Sequence, residues 1–221
     1  MKLVMYSGGY PEENELLDSK LLELVDRKDI SICFIPTCSL HSDEDYEEVI
    51  LHYGRFGIDR ILKFNIDQPF SETFKEAVFQ CDIIHLGGGN TFYFLKHLRQ
   101  TGMLKELKNW VLNGGILSGL SAGAIMMTEN VMTASFPSFD CDENEENMKN
   151  LKAMKLVDFE FFPHYKNSKR YDSELSEYSK IIGSPLYACP DGSGIVINNN
   201  QMTIIGKTAC FYQGKKYFIN K

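Results

Sequence analysis

The chain contains no run of 18 or more apolar residues, so no membrane-spanning helix and no membrane partner are expected. Its six cysteines, at 33, 38, 81, 141, 189 and 210, form no C-x-x-C pair, which argues against a zinc site. Cys33, Cys81, Cys189 and Cys210 sit in or beside apolar strand-like runs and read as buried, reduced thiols of a cytoplasmic protein. Basic residues are in deficit: 23 Lys and Arg against 30 Asp and Glu give a formal charge of −7, with no sizeable Lys/Arg cluster. Nucleic acid is therefore not expected as a partner. Also missing are G-x-G-x-x-G and a P-loop lysine with its Ser/Thr, which counts against dinucleotide enzymes and nucleotide hydrolases. No cofactor and no metal is expected. The opening Met1–Tyr6 reads directly as a strand, not as a cleavable secretory segment.

What the chain does have is alternation. Strand-like runs at Leu3–Tyr6, Ile30–Ile35, Ile58–Phe64, Asp82–Leu86 and around Ile116–Ser118 are separated by helical patterns. These cover Asn14–Arg27, Ser42–Arg55, Ser71–Phe79 (with Ser71 as N-cap), Phe92–Arg99 and Met103–Leu112. Such β-α repetition predicts an α/β fold with a mostly parallel sheet and helices on both faces. The active edge is then the carboxyl end of the strands, where Ser7-Gly8-Gly9, Thr37-Cys38-Ser39, Gly87–Thr91 and Ser121 would emerge. Residues 128–150 look irregular, and the acid-rich stretch Phe139–Asn147 reads as a solvated loop. Beyond it come a strand at Val157–Phe162, a polar helix at Ser168–Ile182, a run at Leu186–Pro190, and short β runs from Gly194 to Ile219. That tail suggests an antiparallel meander or an extension of the sheet. No repeat or linker divides the chain, so residues 1–221 are expected to form one domain.

The sharpest local signal is Gly119-Leu120-Ser121-Ala122-Gly123, a G-x-S-x-G between an apolar strand and helix-compatible residues. A serine on a tight strand-to-helix turn needs near-naked neighbours two positions away, and Gly119 and Gly123 supply them. The Ala122 N–H, at the start of the following helix, is a natural oxyanion donor. A hydroxyl needs a base. Among five histidines, His41 and His52 read as exposed, His97 as helical and His85 as turned into the sheet packing. His164 follows Phe162-Pro163, where the proline forces the chain out of the sheet at the active edge, and it is the best base. For the acid that orients it, Asp191, at a strand end before Gly192, ranks first; Asp140, Asp158 and Glu160 stay open. Gly87-Gly88-Gly89-Asn90-Thr91 can provide a second oxyanion N–H, from Gly88 or Gly89, while Asn90 and Thr91 hold a substrate end.

Leu86-Gly87-Gly88-Gly89-Asn90-Thr91, Gly119–Ala124, Phe162-Pro163-His164-Tyr165 and Pro190-Asp191-Gly192, in this order, resemble the peptidase E (aspartyl dipeptidase) and cyanophycinase family of serine peptidases. The resemblance runs from about residue 1 to about residue 210. It implies a three-layer sandwich like that of class I glutamine amidotransferases (flavodoxin-like), with serine in place of the nucleophilic cysteine. It further implies release of N-terminal aspartate from dipeptides without a metal. Residue by residue, it makes Ser121 the nucleophile, His164 the base, and Gly88 and Ala122 the oxyanion donors. Asp191 takes the place of a family glutamate. Arg170 is the nearest match to the basic residue that pairs with an aspartyl substrate, with Lys166 and Lys169 beside it. The partner so implied is a small peptide substrate; a homodimer is an open option. Two other classes stand beside this reading: a non-catalytic ligand-binding or chaperone-like module on the same fold, and an esterase.

Overall fold

The computed structural model of the protein describes residues 1–40 and 42–220; His41 lies outside the described residues. Five strands, β1 (Lys2–Tyr6), β2 (Ser31–Ile35), β3 (Arg60–Lys63), β4 (Ile83–Leu86) and β5 (Ile116–Leu120), run parallel in the order β3-β2-β4-β5-β1. Two antiparallel strands, β8 (Gly194–Asn198) and β9 (Gln201–Ile205), extend this sheet from β1. The sheet is thus mostly parallel, in an order that differs from the 2-1-3-4-5 of flavodoxin.

Why β1 lies inside the sheet is visible in its side chains. Leu3 and Met5 are buried in one apolar cluster with Leu86, Phe92, Leu117 and Ala122, while Val4 and Tyr6 are buried in another with Leu17, Leu21 and Tyr53. A strand apolar at every position fits a sheet covered on both faces. One cover includes α1 (Glu15–Glu23) and α2 (Ser42–Gly54). The other includes α4 (Thr91–Gln100), α5 (Met103–Leu112) and α6 (Ala122–Ile125). Ser71 caps α3 (Glu72–Phe79) as expected, its Oγ accepting the Phe74 N–H at 3.1 Å.

The tail extends the main sheet and runs antiparallel as expected, but part of it enters a second sheet. β6 (Glu160–Phe162) and β7 (Leu186–Ala188) pair in parallel, β10 (Thr208–Tyr212) and β11 (Lys215–Asn220) join antiparallel, and the four make a second sheet, β11-β10-β7-β6. Helix α7 (Lys169–Ile181) covers it, burying Tyr171, Leu175 and Tyr178 against Phe162, Leu186 and Phe211. The meander therefore divides: β8 and β9 continue the main sheet, and β10 and β11 leave it.

Candidate active site

Ser121 stands where β5 turns into α6, with φ 52° and ψ −109°. For a residue with a Cβ this left-handed conformation costs on the order of 1–3 kcal/mol, supplied by the surrounding packing. Close approach explains the glycines. A Cβ on Gly119 would lie 2.4 Å from the Gly123 carbonyl carbon, and one on Gly123 would lie 2.3 Å from the Leu86 oxygen. The Ser121 N–H donates to Tyr6 O at 3.0 Å, tying the elbow to β1. The helix that follows is only four residues long, so its dipole adds little and the local backbone N–H groups carry the electrostatics.

His164 arrives from the second sheet. Pro163 ends β6, and His164 itself adopts φ 55°, turning its ring back toward the main sheet. Its Nε2 lies 2.9 Å from Ser121 Oγ and its Nδ1 lies 2.7 Å from Asp191 Oδ1. Serine, imidazole and carboxylate are thus in one hydrogen-bonded line, which is what proton removal from a hydroxyl needs. The histidine and aspartate side chains are 48% and 47% exposed, so the line opens to solvent.

The other acids are engaged elsewhere. Asp140 accepts the Tyr171 hydroxyl and lies 3.9 Å from Lys166 Nζ. Glu160 is 3% exposed and accepts Thr133 Oγ1 at 2.9 Å. Burial pushes its carboxyl up to about 7, against smaller opposing help from the Thr133 hydroxyl. Asp158 is exposed.

Gly88 and Ala122 flank the serine; a Cβ on Gly88 would fall 3.6 Å from Ser121 Cβ. Among the described residues, neither N–H is spent on another backbone carbonyl. Thr37 Oγ1 donates to the carbonyls of Gly87 and Gly88 and so fixes the loop's orientation. A cavity of about 470 Å³ opens beside Ser121, with Gly89, Thr91, Ile125, Phe136 and Lys166 on its wall.

Three expectations change here. Asn90 is not on that wall: its Oδ1 caps α4 by accepting the Tyr93 N–H, and its Nδ2 donates to Glu143 O. Arg170 is not on it either, since its guanidinium lies 3.4 Å from the centre of the Phe139 ring. Among the described residues, Lys166 is the lysine that lines the cavity, and no arginine does. And the acidic loop is not merely solvated: Asp142 Oδ2 accepts the Thr91 N–H at 2.7 Å, Glu146 pairs with Lys96, and Asp140 and Asp142 face the cavity. An unsatisfied helix N-terminus explains the attraction, because α4 offers free N–H groups to a carboxylate.

Two residues at the site went without a role in the sequence reading. Ser7 Oγ accepts the His164 N–H at 2.7 Å and donates to Cys189 O at 2.6 Å, clamping the histidine and aspartate segments together. Gly8 lies against the His164 ring and the Asp191 carboxylate. Their signal was the turn sequence at a strand end on the active edge. His52 also differs from expectation: it is not exposed but reaches Asp18, Nε2 to Oδ2, at 3.0 Å.

The family model for Peptidase family S51 matches residues 3–205. The chain belongs to peptidase family S51. It is therefore a serine peptidase, a hydrolase, by family. Among similar proteins is the Uncharacterized peptidase YgaJ of Bacillus subtilis (strain 168), 28% identical over 207 residues, covering 90% of this chain and 84% of that one. Peptidase E of Haemophilus influenzae (strain ATCC 51907 / DSM 11121 / KW20 / Rd) is 26% identical over 198 residues, covering 85% and 86%. Among solved structures, a peptidase from an acI-B1 Actinobacterium superposes with a TM-score of 0.70 at 15% identity, covering 99% of this S51 chain and 93% of that chain. At that identity the likeness speaks for the fold alone.

Proposed function

We propose that this S51 peptidase hydrolyses small peptides through an acyl-enzyme on Ser121. The observation that carries the reading is the unbroken line from Ser121 Oγ through His164 to Asp191, at 2.9 and 2.7 Å. In this mechanism His164 Nε2 takes the hydroxyl proton as Oγ attacks the scissile carbonyl. The resulting oxyanion is held by the Gly88 and Ala122 N–H groups, and His164 returns the proton to the leaving amine. Water then repeats the cycle to free the acid. Asp191 keeps Nδ1 protonated and stabilises the imidazolium.

The substrate class proposed is the dipeptide with an N-terminal aspartate. What supports it is the charge arrangement of the cavity: Lys166 on one wall suits a β-carboxylate, and Asp140 and Asp142 suit an α-ammonium. Because Lys166 Nζ lies 3.9 Å from Asp140, an incoming carboxylate shares that cation rather than meeting a bare one. Gly89 and Thr91 form the wall beside the acyl group. The test is turnover of a dipeptide and anilide panel differing in the N-terminal residue. Ser121→Ala should abolish turnover of every member. Lys166→Met should lower kcat/KM for Asp substrates about tenfold or more relative to Ala substrates. Turnover retained by Ser121→Ala removes the acyl-enzyme, and simple acyl esters, assayed beside the panel and cleaved in preference to it, make the protein an esterase. An unchanged Asp-to-Ala ratio in Lys166→Met removes that side chain from selectivity.

A further inference from the structure

Thr37 follows Pro36 just after the end of β2 and is buried. It is not on the wall of the cavity beside Ser121. What it touches is the glycine loop: its Oγ1 lies 3.3 Å from Gly87 O and closer still to Gly88 O. A hydroxyl has one proton to donate, so the two carbonyls share it in a three-centre bond.

Those carbonyls belong to the two peptides that flank Gly88. Both peptides are trans, and across a planar trans peptide the N–H points opposite to the C=O. With both oxygens gathered on Thr37, the Gly88 and Gly89 N–H groups are turned away from it. Position 88 lies beside the serine, a Cβ there falling 3.6 Å from Ser121 Cβ, and Gly89 lines the cavity onto which the serine opens.

The loop has little else to hold that aim. On one side the Gly87 N–H donates to Ile35 O at 2.9 Å, and on the other Asn90 caps α4. Between these anchors, among the described residues, the Gly87 and Gly88 carbonyls accept from Thr37 alone, and the Gly88 and Gly89 N–H groups donate to no protein acceptor. Glycine takes either sign of φ at little cost, so consecutive glycines let a peptide turn over unless something grips it. Gly89 itself sits at φ 134°, and a Cβ on it would come within 2.9 Å of Thr37 Cβ.

We propose, on the footing of the acyl-enzyme at Ser121, that Thr37 is a positioning residue: from outside the cavity its hydroxyl aims the Gly88 N–H, and the Gly89 N–H beside it, at the oxygen that becomes the oxyanion. Thr37 touches neither the serine nor the substrate and acts through the loop. Full negative charge on that oxygen exists only in the transition state and the tetrahedral intermediate. Misaimed donors therefore weaken that state and not the bound substrate, and the loss falls on kcat rather than KM.

The test uses the full chain, its backbone amide NMR signals and the preferred member of the substrate panel. Thr37→Val keeps the outline of the side chain without its hydroxyl, and Thr37→Ser keeps the hydroxyl. In Thr37→Val, kcat should fall about thirtyfold or more while KM stays within about twofold. Thr37→Ser should keep kcat within about threefold of the parent, because the donor remains. The Gly88 and Gly89 amide signals should shift or broaden in Thr37→Val and hold in Thr37→Ser, with the Ala122 signal unmoved in both. Thr37→Ala is read in the same way and decides the matter where the valine variant does not fold. Parental kcat in a folded Thr37→Val overturns the proposal. So does an equal loss in Thr37→Ser, a rise in KM without a fall in kcat, or loop amides that stay where they were. Turnover retained by Ser121→Ala removes the acyl-enzyme itself; a dead Ser121→Ala beside a fully active Thr37→Val removes only the role of Thr37.

Discussion

Gly8 lies so close to His164 that a Cβ on it would sit 2.3 Å from the ring's Cε1, and 2.5 Å from Asp191 Oδ1. The absence of a side chain at position 8 is therefore a condition for the imidazole and the carboxylate to lie in line with the serine. Gly8→Ala should leave the fold intact, because the half-exposed His164 ring can swing toward solvent. Displacement by about 1 Å is enough to cost roughly a hundredfold in turnover. Steady-state kinetics alongside thermal unfolding check this: kcat falls about a hundredfold or more while Tm moves little.

Ser7→Ala should behave differently. The hydroxyl is buried and makes two bonds, from the His164 N–H and to Cys189 O, so its loss strands a donor. About 1–3 kcal/mol of stability should go with it. Denaturant unfolding should show that loss, together with a drop in kcat, and KM should change less than kcat because Ser7 is not on the cavity wall.

Asp191→Asn should keep the shape of the site and spoil its proton bookkeeping. An amide can present its NH2 to Nδ1 and favour the wrong tautomer, leaving Nε2 protonated toward Ser121. A fall in kcat of about two to four orders of magnitude is expected. The matching substitution Asp140→Asn should lower kcat far less and act on KM instead, since Asp140 bonds Tyr171 and faces the cavity rather than the imidazole. Equal losses of kcat in the two variants would overturn the assignment of Asp191.

Glu160 should write itself into the pH dependence of stability. Its carboxyl is held up to about 7, above the ordinary 4.5, so the folded state keeps a proton that the unfolded chain releases. Stability from this group is fully present below pH 4.5 and is lost as pH rises toward 7, to a total on the order of 3 kcal/mol. His85 works in the opposite direction: held down to about 4, it destabilises the fold as pH falls below 6.5. The difference between wild type and Glu160→Gln isolates the first effect. Denaturant titrations should show the variant gaining relative stability from pH 4.5 to 7 and no further change above.

Much of the site was legible because its signals are local. The elbow needs glycine two residues either side of the serine, and Pro163 needs to end a strand just before His164; both constraints are written in adjacent letters. The parallel sheet was legible for the same reason, since β1 to β5 alternate with helices in strict order. Arg170 was not. Which way it points is decided by Phe139, thirty-one residues earlier, whose ring captures the guanidinium. Nor could periodicity show that Asp142 reaches across to the start of α4, or that His52 and Asp18 meet between two helices. The division of the last four strands between two sheets is likewise a matter of partners distant in the chain: β8 finds β1, and β10 finds β7.

The Ser121 N–H is bonded to Tyr6 O, Ser7 grips His164, and the Gly192 N–H donates to Gly8 O at 3.0 Å. The end of β1 and the two residues after it are thus a shared anchor for three segments that lie more than a hundred residues further along the chain. A shift of that one corner is therefore felt at the serine, the histidine and the aspartate together, however far apart they lie in sequence.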